Sequence, residues 1–115
     1  MQRGDIHLVD LEPVRGAEAD KHRPAVIVSN DGANATARRL GRGVITVVPV
    51  TANTDKVYPF QVLLRADDTG LSVDSKAQAE QVRSISVERL GAQIGRVGTE
   101  QLAALDEALR LHLAL

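Results

Sequence analysis

Apolar residues come in short runs over most of the chain and settle into helical spacing only at its end. Residues 5–11 mix Ile6, Leu8, Val9 and Leu11 with polar neighbours and stop at Glu12-Pro13. Residues 24–29, PAVIVS, form a β-branched run closed by Asn30-Asp31-Gly32, a strong turn signal. Residues 43–51, GVITVVPVT, read as a buried strand. Pro49 within it has no N–H for a ladder, which predicts an edge position or a bulge there. Residues 58–64 (YPFQVLL) and 80–86 (EQVRSIS) bring the set to about five strands. Polar, turn-rich connections with no helix long enough to cross over predict an antiparallel small barrel.

Residues 87–91 supply one helical turn at most, ended by Gly91. Residues 99–115 are different: Thr99 is placed to cap, and Glu100 suits the positive helix start. Leu102, Leu105, Leu109 and Leu113 follow at helical spacing, and Ala104, Ala108, Leu111 and Leu115 widen the stripe. That face exceeds what a thin surface helix needs, so both a core and a second subunit have a use for it. No linker or repeat divides the chain. A single domain spanning 1–115, mainly β with a C-terminal helix, is expected.

Composition narrows the class. At 115 residues the chain is one ordinary domain, able to bury roughly two-thirds of its unfolded surface without metal or disulfide. Its 43% apolar and 25% charged residues exclude a disordered chain. No apolar run approaches the roughly 20 residues of a membrane span, and no export signal opens the sequence. Cysteine is absent. Thiolate metal sites and cysteine nucleophiles are thereby excluded, and a cytoplasmic, membrane-free chain is expected.

Charge and aromatics bear on partners. Fourteen basic against 15 acidic side chains leave a formal charge of −1, so no bulk positive field marks a nucleic-acid binder. Tyr58 and Phe60 are the only aromatic rings of this kind. A protein that stacks bases on a row of aromatics is therefore disfavoured, and any nucleic-acid site must be local and built from a few cations.

Most apparent motifs are uninformative. Arg3-Gly4-Asp5 is explained by a strand start, and Asn34-Ala35-Thr36 is a sequon without an export signal. His7, His22 and His112 are too scattered for a zinc site. Three loops remain: charged residues 12–22, residues 31–42 with Arg38, Arg39 and Arg42, and residues 52–57. Beside them Arg23 opens one strand immediately before Pro24, and Thr51 closes the next.

These residues carry a resemblance. RGDIHLVDLEP at 3–13, KHRPAVIVSND at 21–31, VITVVPVT at 44–51 and DSKAQAEQVRSIS at 74–86, followed by RLG and IGRV, resemble the MazF/PemK/Kid toxin endoribonucleases. The resemblance covers most of the chain in family order. It implies an SH3-like small antiparallel barrel that forms a homodimer. It also implies the toxin of a type II toxin–antitoxin system, cleaving single-stranded RNA at short sequences without a metal or cofactor. Attack of a ribose 2′-OH on the adjacent phosphate would leave a 2′,3′-cyclic phosphate and a 5′-OH.

In this reading Arg23 matches the family's principal catalytic arginine and Thr51 its partner hydroxyl. A guanidinium offers a planar fork to two phosphate oxygens, and a hydroxyl beside it donates or accepts. Because arginine stays protonated, its first role is electrostatic. Glu18 aligns with an acidic loop position of some relatives and is a candidate base. His22 is a candidate acid, imidazole being the side chain that changes charge near neutral pH. Arg15, Lys21, Asn30, Lys56, Ser75 and Gln81 are the candidate RNA contacts, with Arg38, Arg39 and Arg42 adding charge if the loops converge. The expected partner is a cognate antitoxin whose disordered acidic C-terminal segment covers the RNA site. The alternatives are a CcdB-like gyrase inhibitor of the same fold, whose aromatic-containing helix end is missing from LRLHLAL, and a non-catalytic SH3-like adaptor, which needs an aromatic groove.

Overall fold

The computed structural model describes residues 1–11 and 22–115. Seven strands form one sheet: β1 (Asp5–Asp10), β2 (His22–Ile27), β3 (Val44–Thr51), β4 (Gln61–Leu64), β5 (Ser75–Gln78), β6 (Arg83–Ser86) and β7 (Leu90–Arg96). Three helices, α1 (Asp31–Leu40), the short α2 (Ala66–Thr69) and α3 (Thr99–Leu113), complete it. The order is β4-β5-β3-β2-β1-β7, with β6 also on β3, and every pairing is antiparallel. The sheet curls in the manner of a small barrel without closing.

Two cores explain the continuous apolar runs. Ile6, Val26, Val48, Val50, Val62, Leu64 and Ala77 face α3, which buries Leu105 and Ala108 against them. Val9, Ala25, Ile27, Ile45, Val47 and Ile85 face the other way, beneath Ala37 of α1. Strand residues alternate between faces, so β2 and β3 are apolar on both sides because both sides are covered.

Pro49 departs from expectation. It lies in the central strand, opposite Ala25 of β2. Along its other edge β3 pairs β6 through Val44–Val47 and β5 through Val50–Thr51. Pro49 stands in the interval between those partners, where a missing N–H interrupts neither ladder.

Residues 31–42, read as a basic loop, mostly form α1. Asn30 caps it, its side chain accepting from the Ala33 N–H at 2.8 Å. Gly41, at φ 66°, ends it in the left-handed conformation that favours glycine. Asn34 is fully buried and donates to the Ser29 carbonyl at 2.8 Å, tying the helix to the strand before it. Residues 58–64 become a strand only from Gln61, and residues 80–86 split into a helical turn, Ala79–Gln81, followed by β6. Neither β5 nor β7 was expected. The last helix begins at Thr99 as read, but Gly98 occupies the cap and no side chain bonds there. Leu111, Leu113 and Leu115 are exposed, so the apolar stripe is wider than the core uses.

Candidate active site

The α1-side face of the sheet turns polar toward one end. Arg23 follows the parity of Ala25 and Ile27, and Thr51 that of Val47 and Pro49, so both side chains issue from this face. The β2–β3 ladder pairs Ile27 with Val47, Val26 with Val48 and Ala25 with Pro49, and Arg23 and Thr51 each lie two residues beyond its last pair, on the same face. On the other side of Thr51 lies Lys76, its ladder partner in β5. Gln78, two residues along β5, therefore joins the same row.

Arg23 is half-buried, and its Nη1 donates to Gln78 Oε1 at 3.3 Å. Its Nε is buried with no hydrogen-bond partner among the described residues. Orphaned buried donors are costly, and one on a guanidinium at a sheet end is the state expected of a group awaiting an anion. The Thr51 hydroxyl accepts from the Asn53 N–H at 3.3 Å, a long contact that leaves it a proton to donate. Lys76 is buried, with 7% of its surface exposed, and its ammonium donates to the Lys56 carbonyl. Gln61, opposite Gln78, accepts from the Tyr58 N–H at 3.1 Å and donates to Glu80 Oε2 at 2.7 Å. The second oxygen of Glu80 is buried without a partner among the described residues.

The sequence candidates distribute unevenly over this surface. Arg23 and Thr51 come together, and Lys56 joins them through the contact from Lys76. Gln81 ends the helical turn next to Glu80 and is half-buried. Three candidates lie elsewhere. His22 is exposed at the first position of β2, and alternation sends its side chain to the face opposite Arg23. Ser75 also belongs to the opposite face, where its hydroxyl donates to the Val73 carbonyl at 3.0 Å. Asn30 is engaged as the α1 cap. Arg15, Glu18 and Lys21 fall outside the described residues. Arg38, Arg39 and Arg42 do not converge on the site: they stand at the α1 end, beyond Ile27, roughly 13 Å of strand from Arg23.

The residues missed by sequence reading are Lys76, Gln78 and Gln61. Their signal is ladder register between distant segments, which no local pattern displays. Behind this surface, on the α3 side, an apolar cleft of about 440 Å³ is lined by Leu8, Pro24, Val50, Leu71, Val73 and Ile94. No group of three or more His, Cys, Asp or Glu side chains among the described residues is placed to hold a metal ion. Nor is any helix there long and apolar enough to cross a membrane.

The curled antiparallel sheet with a C-terminal helix places the chain in a known structural class. It superposes on MazF from Deinococcus radiodurans with a TM-score of 0.81 and 25% identity, covering 100% of this chain and 97% of that one. A MazE–MazF complex from the same organism contains a chain matched with a TM-score of 0.71 and 25% identity, over 100% of this chain and 97% of that one. In sequence, residues 2–113 match the family model for the PemK-like, MazF-like toxin of type II toxin–antitoxin systems. The chain is 70% identical over 115 residues to endoribonuclease MazF9 of Mycobacterium tuberculosis, covering 100% of this chain and 98% of that protein. The chain belongs to the PemK-like, MazF-like toxin family. A CcdB-like gyrase inhibitor is not favoured by these likenesses.

Proposed function

We propose that this toxin endoribonuclease cuts single-stranded RNA at short sequences by transesterification without a metal. The 2′-OH loses its proton and attacks the adjacent phosphorus, and the P–O5′ bond breaks. The O5′ takes up a proton, leaving a 2′,3′-cyclic phosphate and a 5′-OH. Negative charge gathers on the non-bridging oxygens as the fifth bond forms. Arg23 meets that charge, its Nε supplying a donor that has no partner among the described residues. The Thr51 hydroxyl adds a second donor from the neighbouring strand. The observation that carries the reading is the placement of both side chains on one face of the sheet, at the ends of adjacent strands.

Proton removal falls to Glu18, the sequence candidate for the base. His22, the other candidate, starts from the opposite face and would have to reach around the strand end to act as acid. Lys56, together with the sequence candidates Arg15 and Lys21, positions phosphates, with Gln81 a further RNA contact. The protein works in the cytoplasm as a homodimer, a state supported by the uncovered Leu111 and Leu113 of α3 and Leu115 just beyond it. Its activity is restrained by a cognate antitoxin with a disordered acidic C-terminal segment, and the MazE-bound Deinococcus relative supports that partner. The deciding experiment incubates the purified chain with single-stranded RNA in EDTA. Fragments ending in 2′,3′-cyclic phosphate and beginning with 5′-OH are expected; intact RNA with folded protein would refute the proposal.

A further inference from the structure

The chain has one Tyr, one Phe and no Trp, and the fold brings the two rings together. Tyr58 and Phe60 stack with centroids 5.4 Å apart and planes within 1°. Phe60 is half-buried, whereas Tyr58 keeps 44% of its surface exposed. The turn that presents it is held from both ends. Gln61 binds the Tyr58 N–H, and the buried Lys76 ammonium binds the Lys56 carbonyl. The Lys56 and Lys76 ammonium groups each lie 5.8 Å from the Tyr58 ring centroid. Lys76 is also the ladder partner of Thr51. An exposed, anchored ring with two cations at its margin therefore sits one strand away from the Arg23–Thr51 pair.

The geometry points to a base-stacking subsite on Tyr58 for a nucleotide flanking the scissile phosphate, a reading that rests on the RNA substrate proposed above. One ring face packs on Phe60, which stiffens the platform, and a nucleobase takes the exposed part. Lys56, on a solvent-exposed stem, meets the phosphate that follows the stacked base. Stacking needs no particular base edge, so the subsite supplies affinity and register, with purines favoured by their larger π face.

The composition supplies the probe. With no Trp and a single Tyr, intrinsic emission reports on Tyr58 alone. The full chain is titrated with a mixed-sequence 2′-O-methyl oligoribonucleotide, which lacks the nucleophile, while labelled oligonucleotide follows binding by anisotropy. Quenching of the tyrosine emission in step with binding is expected. Tyr58→Ala should weaken binding by about 5- to 150-fold, and Tyr58→Phe should bind close to wild type. Binding without quenching, or equal affinity of Tyr58→Ala, overturns the subsite; if that variant fails to fold, the wild-type quench decides. Cleavage of unmodified RNA is measured in parallel. Quenching without cleavage refutes the nuclease reading and leaves the subsite standing, cleavage without quenching refutes the subsite alone, and no binding overturns both.

Discussion

Replacing Arg23 by Ala separates catalysis from stability, because the folded chain gets so little from this side chain. Among the described residues its one side-chain hydrogen bond is the 3.3 Å contact to the neutral Gln78 side chain. A bond of that kind is worth roughly 0.5–1.5 kcal/mol, and this one is long. Against it stands the buried Nε without a partner among the described residues, a desolvation cost of roughly 1–3 kcal/mol that the substitution removes. The two terms nearly cancel or favour the variant. Arg23→Ala should therefore melt at or slightly above the wild-type temperature. Its cleavage rate should fall by about 10²–10³, the usual consequence of losing a donor aimed at developing charge. Arg23→Lys keeps the charge but loses the planar fork, so it should recover only part of the rate.

The assay is single-turnover cleavage of an end-labelled RNA beside a thermal melt of the same preparations. A variant that cuts at wild-type rate removes Arg23 from the mechanism. One that loses several kcal/mol of stability would show that the side chain is structural and that the orphaned Nε has been misread.

Thr51→Ala should lower cleavage by about 10², whereas Thr51→Ser keeps the hydroxyl and most of the rate; equal losses in both would assign Thr51 to packing instead. Gly95→Ala should destabilise by roughly 1–3 kcal/mol in a melt, since its Cβ would stand 2.3 Å from the Thr69 carbonyl oxygen where β7 passes α2. Light scattering at micromolar concentration should give a dimer, and a monomer would contradict the use proposed for the exposed leucines of α3. An acidic antitoxin segment should compete with RNA for the surface around Arg23 and Lys56, less steeply with salt than phosphate binding alone; RNA binding equally well to the saturated complex would exclude competition.

What could be read in the sequence follows from where the burial lies. β2 and β3 are covered on both faces, so they appear as unbroken β-branched runs. α1 buries only Asn34 and Ala37, and Gly32 with Asn30-Asp31 imitates a turn, so its helical spacing of small apolar residues (Ala33, Ala37, Leu40) is masked by the turn signal. β5, SKAQ, directs Lys76 and Gln78 onto the polar surface and hides its one apolar residue, Ala77, on the other face. β7 carries Gly91 and Gly95 at the positions where it runs closest to Leu8 and Thr69, and those glycines disguise a strand. Within the site, Arg23 and Thr51 were legible through a resemblance, but Gln78 meets Arg23 across 55 residues of chain. That contact exists only once the register of β2, β3 and β5 is set.

The same register resolves the tension between a net charge of −1 and an RNA substrate. Several surface guanidiniums are matched with carboxylates away from the site: Arg96 with Asp5, Arg3 with Asp106 and Arg110 with Glu107. At the Arg23–Thr51 end the cations meet neutral groups instead, Arg23 the Gln78 amide and Lys76 the Lys56 carbonyl. Among the described residues no carboxylate pairs with either side chain, so an arriving phosphate has no such ion pair to break. Partial burial limits screening by salt as well, which surface charges at the α1 end do not enjoy. Whole-chain charge averages over both populations and so conceals a surface on which, among the described residues, Arg23 and Lys76 meet neutral groups near the exposed Tyr58.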